Sequence, residues 1–284
     1  NKDDPSYRSF ILGHDGVARH WLGQGATGWR LDVADELPMS FLRELRTAVK
    51  DENPDSTLLG EVWEDASNKI AYGKMRCYAL GDTLDSVMNY PLRDAIIRFL
   101  TGTTTAAHTV RSIRSLQENY PTPFFYALMN LMGSHDRARI LNVLVNREYT
   151  QLPIGERGGK TLPPDLRDLA EERYLKMVAI YMALPGMPSI YYGDEVGMEG
   201  ATDPFSRAPF PWEREHTRLR TQVRDAIALR KERPVLRTGV LRLSCEGNDT
   251  LVIARSAIDG KDVFGEPMAD APYILRVTRD AFSV

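Results

Sequence analysis

Three short segments, each ending an apolar β-like run with a carboxylate, constrain this chain more than any other feature. They are residues 28–35 (GWRLDVAD), 60–63 (GEVW) and 133–136 (GSHD). Strand-like and helix-like patterns alternate up to about residue 233, which is typical of βα units around a parallel sheet. Because parallel strands end at a common edge, we expect the three carboxylates to lie at that edge.

The periodicity predicts a fold of class α/β. Five strands are predicted before residue 234, with helices between them, and three short strands after it; the strands are 28–33, 57–62, 84–88, 128–133, 188–192, 239–243, 250–255 and 273–278, and the main helices are 38–50, 92–100, 109–116, 171–184 and 217–233. A Gly/Pro-rich loop is predicted at 152–164. Five βα units do not close a (β/α)8 TIM barrel, so we predict a partial barrel at 1–234 and the start of an antiparallel β domain at 235–284.

Composition excludes several kinds of partner. The net charge of −3 carries no basic bias, so no nucleic acid is expected, and no apolar run is long enough to span a membrane. Cys77 and Cys245 show no motif spacing, which favours free thiols. The histidines outside the third segment have no metal-ligand spacing. We predict that they lie on the surface or serve local structure; they are His14, His20, His108 and His216. The cytoplasm is favoured over secretion, although the true N-terminus is not visible.

The first two segments have the groups that glycosidic-bond cleavage requires. Arg30 and Asp32 share one face of the first strand, so we expect Arg30 to contact Asp32, and we expect Val33 on the opposite, apolar face that packs against helices. A neighbouring arginine favours the ionised carboxylate that a nucleophile must be. Glu61 ends an apolar strand, where burial favours the protonated form that a general acid needs. The alternatives are a structural Arg–Asp pair and, for Trp63, a core ring rather than a sugar-stacking surface.

The third segment ends in His135 and Asp136, which follow a predicted buried strand. A His–Asp pair in this position is a good hydrogen-bonding unit for sugar hydroxyls. The alternative for the pair alone is a buried histidine with its hydrogen bonds satisfied, or a helix N-cap. Two carboxylates in contrasting environments at the ends of neighbouring strands meet the requirement for glycoside hydrolysis.

These segments resemble the second, third and fourth conserved regions of the α-amylase family (family 13) of glycoside hydrolases. Residues 186–195 (GMPSIYYGDE) resemble the family's stretch around the eighth barrel strand. Residues 203–212 (DPFSRAPFPW) are similar to a segment of the neopullulanase, cyclomaltodextrinase and maltogenic amylase branch. The resemblance implies barrel strands four to eight followed by the start of a C-terminal β domain.

The resemblance also implies residue roles. Asp32 corresponds to the nucleophile, Glu61 to the acid/base and Asp136 to the third acid. The implied substrate-binding residues are Arg30, which also positions Asp32, and His135, Trp63, Asp203 and Arg207. No cofactor and no metal in this chain are implied, while a structural calcium ion in an N-terminal part stays open.

The family's first conserved region, Asp-x-x-x-Asn-His, is absent from the 31 residues that precede Asp32. We therefore expect a truncated chain whose partner is the missing N-terminal half or another copy of itself, and which has doubtful activity alone. The expected substrate is an α-1,4-linked, alternatively α-1,6-linked, glucan such as a maltooligosaccharide, cyclodextrin, pullulan or starch. A transglycosylase remains an alternative. So does a non-catalytic amylase-like binding protein, although all three acids are present.

Overall fold

The computed structural model describes residues 1–213 and 217–279. His216 and the last residues of the predicted C-terminal domain, 280–284, lie outside the described residues. The chain divides into two compact units, one formed by Asn1–Pro91 with Leu116–Met129 and the other by Leu92–Ser115 with Asn130–Val284. In chain order the helices are α1 (Pro5–Leu12), α2 (Val17–Gly23), α3 (Met39–Glu52), α4 (Tyr90–Leu100), α5 (Ala106–Asn119), α6 (Thr122–Ala127), α7 (Ile140–Leu144), α8 (Pro164–Ala183), α9 (Thr217–Glu232) and α10 (Pro234–Thr238). The strands are β1 (Gly28–Leu31), β2 (Thr57–Gly60), β3 (Ile70–Ala71), β4 (Lys74–Met75), β5 (Ser86–Val87), β6 (Met129–Leu131), β7 (Met187–Ser189), β8 (Val240–Glu246), β9 (Thr250–Ser256) and β10 (Tyr273–Thr278).

A parallel sheet in the order β1-β2-β5 forms the centre of the first unit. Leu31 pairs with Gly60, so Asp32 and Glu61 follow side by side where the two strands end. A parallel bridge between Met88 and Met129 continues the pairing beyond β5. The predicted alternation of strands and helices is confirmed here, and it brings two of the three predicted carboxylates to one edge.

Helix α3, which connects β1 to β2, has the apolar stripe that the sequence predicts. Its buried residues are Phe41, Leu42, Leu45, Ala48 and Val49. They recur at helical spacing, which places them on one face of the helix. Pro38 occupies the N-cap position, where its missing N–H costs nothing. The connection between β1 and β2, the strands that end at Asp32 and Glu61, therefore runs through a helix with a buried apolar face.

Both strands stop earlier than predicted. Strand β1 ends at Leu31 and β2 at Gly60. Val33 has a φ of 41°, in the left-handed region, so the extended backbone cannot continue through it. The expectation that Val33 lies on the apolar helix-facing side is wrong, because the turn leaves the residue 47% exposed.

The second unit contains the pair β6-β7 and an antiparallel sheet in the order β10-β9-β8. Helix α8 starts at Pro164, seven residues before the predicted helix, and its second half is almost entirely buried. Strand β10 spans 273–278 as predicted, and α9 ends one residue earlier than predicted. The antiparallel strands fall in the same compact unit as α8 and α9, so the domain boundary at 234/235 stays a prediction.

Cys77 and Cys245 are both free thiols. No described helix has the length and apolar character needed to cross a membrane.

Candidate active site

Arg30 joins the two carboxylates at the sheet edge of the first unit. Its Nη1 contacts Asp32 Oδ1, and its Nη2 lies 3.1 Å from Glu61 Oε1. The predicted contact between Arg30 and Asp32 is confirmed, and with it the strand register on which it rests. The second contact, to Glu61, was not predicted, because the register between two strands is not visible in a single sequence.

The two carboxylates have contrasting exposure. The side chain of Asp32 is 77% exposed, whereas that of Glu61 is 6% exposed. A solvent-facing carboxylate next to a buried one is the asymmetry that divides two acids between different roles. The separation of the two carboxyl groups, predicted at about 5–5.5 Å, stays a prediction.

Glu61 is held by one ion pair and two hydrogen bonds at once. Besides Arg30, the indole Nε1 of Trp63 donates to Oε1 at 3.1 Å, and the backbone N of Val33 donates to Oε2 at 2.8 Å. These bonds fix the direction in which the carboxylate points. The apolar strand before Glu61 indicated only that this residue is buried. Its polar partners on other segments were therefore not predicted.

The turn at Val33 makes one of these two hydrogen bonds. A β-branched residue with positive φ is a genuine backbone outlier, and such strain collects at functional sites. The turn points the Val33 N–H at Glu61, and the next residue continues the link, since Ala34 N donates to the Glu61 carbonyl at 3.1 Å. The conformation therefore connects the segment after Asp32 to the segment that carries Glu61.

Trp63 forms an aromatic pair that the sequence did not reveal. Its ring stacks on that of Tyr90, with centroids 4.9 Å apart and an angle of 28° between the planes. Tyr90 is buried, while Trp63 is 41% exposed. A flat ring backed by a second ring and open to solvent suits stacking against a sugar. Trp63 thus offers a flat, partly exposed ring and also donates a hydrogen bond to Glu61.

We expect Trp63→Phe to separate these two functions. Phenylalanine keeps a ring on Tyr90 but removes the Nε1 donor, and a hydrogen bond to a charged group contributes about 1.5–3 kcal/mol. The expected result in the full-length protein is a fall of about tenfold in kcat for maltotriose hydrolysis, without loss of the folded state. Steady-state kinetics and thermal melting measure the two effects.

The control for this prediction is Trp21→Phe, the same replacement in the same unit. The Trp21 ring packs edge-on against His20 in α2. An unchanged kcat in Trp63→Phe, or an equal fall in both variants, would show that the Trp63 donor does not serve Glu61.

In the second unit the structure brings together the other predicted residues. His135 Nε2 lies 3.3 Å from Asp136 Oδ2, and Arg207 Nη2 lies 3.6 Å from Asp136 Oδ1. Arg207 Nε also pairs with Asp203 at 2.5 Å. Ser206 Oγ donates to the His135 carbonyl at 3.2 Å. Residues about 70 positions apart thus form one polar cluster of alternating charge.

The second cluster also has buried neighbours whose role the sequence did not suggest. Arg139 lies three residues after Asp136, and Asp194 lies within the 186–195 stretch. Both side chains are completely buried. Asp194 lies in a segment that resembles the family, whereas Arg139 lies outside every such segment, and a pairing across 55 positions leaves no local pattern.

No metal centre is formed by the part of the chain that the structure describes. Residues 1–213 and 217–279 contain no group of three or more His, Cys, Asp or Glu side chains that could hold a metal ion.

Two carboxylates on one arginine, at the ends of adjacent parallel strands, are the groups that a glycoside hydrolase uses. The family model of the α-amylase catalytic domain matches residues 4–240. The chain belongs to the α-amylase family, as its motifs predicted.

Its relatives come from the predicted branch. The chain is 36% identical to the amylopullulanase of Thermoanaerobacter thermohydrosulfuricus over 96% of its own length and 19% of the relative's. It is 37% identical to neopullulanase 2 of Thermoactinomyces vulgaris over 74% of its length and 30% of the relative's. A solved structure, the cyclic α-maltosyl-(1→6)-maltose hydrolase from Arthrobacter globiformis, superimposes with a TM-score of 0.75 at 32% identity, covering 90% of this chain and 51% of that one. The chain thus spans about a fifth to a third of these curated relatives and about half of the solved one.

Proposed function

We propose that the protein containing this chain is a retaining α-glucan hydrolase. The observation that carries the proposal is the double contact of Arg30, which holds Asp32 and Glu61 at the ends of paired strands. The family assignment and the relatives named above, which are glucan-cleaving enzymes by name, support it.

Asp32 is the proposed nucleophile. Its exposed carboxylate attacks the anomeric carbon of the glucosyl unit, and the bond from that carbon to the glycosidic oxygen breaks as the glycosyl-enzyme bond forms. Arg30, in contact with the same carboxylate, favours its ionised form and directs it.

Glu61 is the proposed acid/base. In the first step it gives a proton to the departing glycosidic oxygen. In the second step it takes a proton from the water that attacks the glycosyl-enzyme, which returns Asp32 to its free form. The Trp63 and Val33 donors orient Glu61 while it changes protonation state. The reaction needs only side-chain groups, so we propose that it requires no cofactor.

The second cluster supplies the proposed sugar contacts. Asp136 is the third acid, which stabilises positive charge on the sugar in the transition state, and His135 donates to hydroxyls. Arg207 and Asp203, which form one network with Asp136, are proposed to bind glucose units on the donor side. Trp63 is proposed to stack with a glucose unit on the acceptor side. The substrate class is a maltooligosaccharide, cyclodextrin, pullulan or starch chain.

We further propose that these residues represent strands four to eight of a (β/α)8 barrel. Among the described strands, β1 is the last in its sheet and pairs on one side only, with β2. Exposed apolar side chains of α1 and α2 support the same proposal, since Phe10 is 66% and Trp21 53% exposed. A longer protein would supply the remaining strands together with the first conserved region.

The stereochemistry of the product tests the proposed function. Proton NMR of a maltotriose digest by the full-length protein should show the α-anomer of the new reducing end first, because two successive inversions restore the configuration. Initial release of the β-anomer would contradict the covalent intermediate. Adding glucose as an acceptor distinguishes the hydrolase from a transglycosylase, since a hydrolase forms few longer oligosaccharides.

A further inference from the structure

A completely buried ion pair lies beside the cluster of the second unit. Arg139 Nη1 is 3.2 Å from Asp194 Oδ1, and neither side chain is exposed to solvent. Neither residue has a part in the proposed reaction. The pair therefore requires a different explanation.

Arg139 is fixed from several directions. Its guanidinium lies between the rings of Tyr191 and Tyr192, 4.5 Å and 4.6 Å from their centroids. Its Nη1 also donates to the Tyr192 carbonyl, and its backbone N donates to the Gly200 carbonyl at 3.0 Å. Arg139 is the N-cap residue of α7, so these contacts anchor the point where the segment carrying Asp136 enters that helix.

Asp194 reaches the other end of the same segment. A Cβ atom placed on Gly133 would come within 2.5 Å of Asp194 Oδ2, so the carboxylate fits only because residue 133 is glycine. Gly133 immediately precedes Ser134, His135 and Asp136. The ion pair thus touches both ends of segment 133–139, with His135 and Asp136 between them.

Stability alone is a weak reason for such a pair, because removing two charges from water offsets most of their attraction. Asp194 Oδ2 and the Nε and Nη2 atoms of Arg139 are buried without a hydrogen-bond partner. Burial raises the pKa of Asp194 to about 7 against the attraction of Arg139. The other charged or titratable groups that act with Asp194 are Glu195 beside it, Arg93 of α4 and Tyr174 of α8.

We infer that Arg139 and Asp194 are a positioning pair, which holds both ends of segment 133–139 and so sets where His135 and Asp136 stand. The local part of this inference is that the pair restrains segment 133–139, and hydrogen exchange measures it. The catalytic part is that this restraint raises kcat; it rests on the proposed function, and the pH profile of kcat measures it.

The local part is tested by hydrogen–deuterium exchange in the full-length protein at pH 7.5. Asp194→Asn keeps the shape of the side chain but removes its charge. We expect the peptide containing 133–139, whose Arg139 amide is bonded to Gly200, to exchange about tenfold faster than in the parent. Arg139→Lys keeps the charge but loses the planar stack, and it should act in the same direction.

The control is Asp270→Asn, which breaks another ion pair of the same unit. Arg233 Nε lies 2.8 Å from Asp270 Oδ1, and the Asp270 side chain is 15% exposed. Exchange of 133–139 should not change in this variant. Unchanged exchange in both Asp194→Asn and Arg139→Lys, or equal acceleration in the control, would overturn the inference.

The catalytic part is tested by the pH profile of maltotriose hydrolysis. As the pH falls below about 7, Asp194 takes up a proton and its attraction to Arg139 is lost. Wild-type kcat should therefore show an inflection near pH 7, with the lower rate on the acid side. Asp194→Asn should lack this inflection and have kcat lowered about 100-fold, the cost of misplacing a group by about 1 Å, with little change in KM.

The outcomes separate the two proposals. If the parent has no maltotriose activity but Asp194→Asn exchanges faster than the parent at 133–139, the proposed function is contradicted and the local inference is supported. The catalytic part would be overturned by an active parent whose wild-type profile has no inflection near pH 7, or by a folded Asp194→Asn variant that keeps its kcat within twofold. The wild-type profile requires no variant and applies even if Asp194→Asn does not fold.

Discussion

Glu61→Gln in the full-length protein is expected to lower the kcat for maltotriose about 10³-fold or more, and Asp32→Asn at least as much. Glutamine keeps the size of Glu61 and one acceptor oxygen, but it cannot protonate the departing glycosidic oxygen. Asparagine at position 32 cannot form the glycosyl-enzyme. Neither change removes a large apolar group, so thermal melting should show that both variants fold. Steady-state kinetics on maltotriose measures the loss.

The identity of the leaving group distinguishes the two roles. An aryl α-maltoside releases a phenolate, which departs without a full proton transfer. The value of kcat/KM reports the first step alone, whereas kcat also contains the second step, in which Glu61 acts as the base. Glu61→Gln should therefore keep much more of its kcat/KM on the aryl substrate than on maltotriose, whereas Asp32→Asn should lose both. Equal losses of kcat/KM on both substrates in Glu61→Gln would contradict its role as the acid.

Matched controls come from the same unit. Glu64→Gln makes the same replacement at a side chain that is 62% exposed and pairs with Lys69. Asp82→Asn makes the same replacement as Asp32→Asn, at a side chain that is 44% exposed and pairs with Arg43. Both controls should keep kcat within about twofold, since surface ion pairs contribute little. Comparable losses in the controls would indicate a general effect of charge removal in this unit.

Residues 1–284 expressed alone are expected to self-associate or aggregate. Strand β1 pairs only with β2 among the described strands, and an unpaired strand edge offers backbone groups to any other strand. Helix α1 has no buried residue, and the rings of Phe10 and Trp21 are largely exposed. Apolar patches of this kind drive association in water. Sedimentation velocity of the isolated chain, compared with the full-length protein, measures the result.

A double replacement identifies the surface responsible. Phe10→Lys with Trp21→Lys should shift the isolated chain toward smaller species, because both rings are exposed and charge at an apolar patch opposes association. The same change should not reduce any aggregation that is caused by the unpaired edge of β1. A parent chain that sediments as a monomer and melts cooperatively would refute the expectation, and full hydrolytic activity of that monomer would also refute the need for further barrel strands.

Local sequence pattern determined the elements of this protein and the positions of its acids. The stripe of α3 and the alternation of strands with helices are periodic features that backbone geometry imposes on any chain. The placement of Asp32 and Glu61 at one edge follows from them, because parallel strands end together. Contrasting roles for the two carboxylates followed from residue type and the resemblance to a family. Where prediction went wrong, at Val33, a strained turn replaced the regular strand, and strain has no periodic signal.

Tertiary structure alone decided what surrounds each acid. Arg30 contacts Glu61 because β1 and β2 pair in one particular register, and Trp63 donates to Glu61 because its ring rests on Tyr90. Asp136 meets Arg207, and Arg139 meets Asp194, across 71 and 55 positions of the chain. Sequence pattern reports which face a residue occupies on its own element. It does not predict which residue on another element will be the partner, because that contact depends on how the whole chain packs.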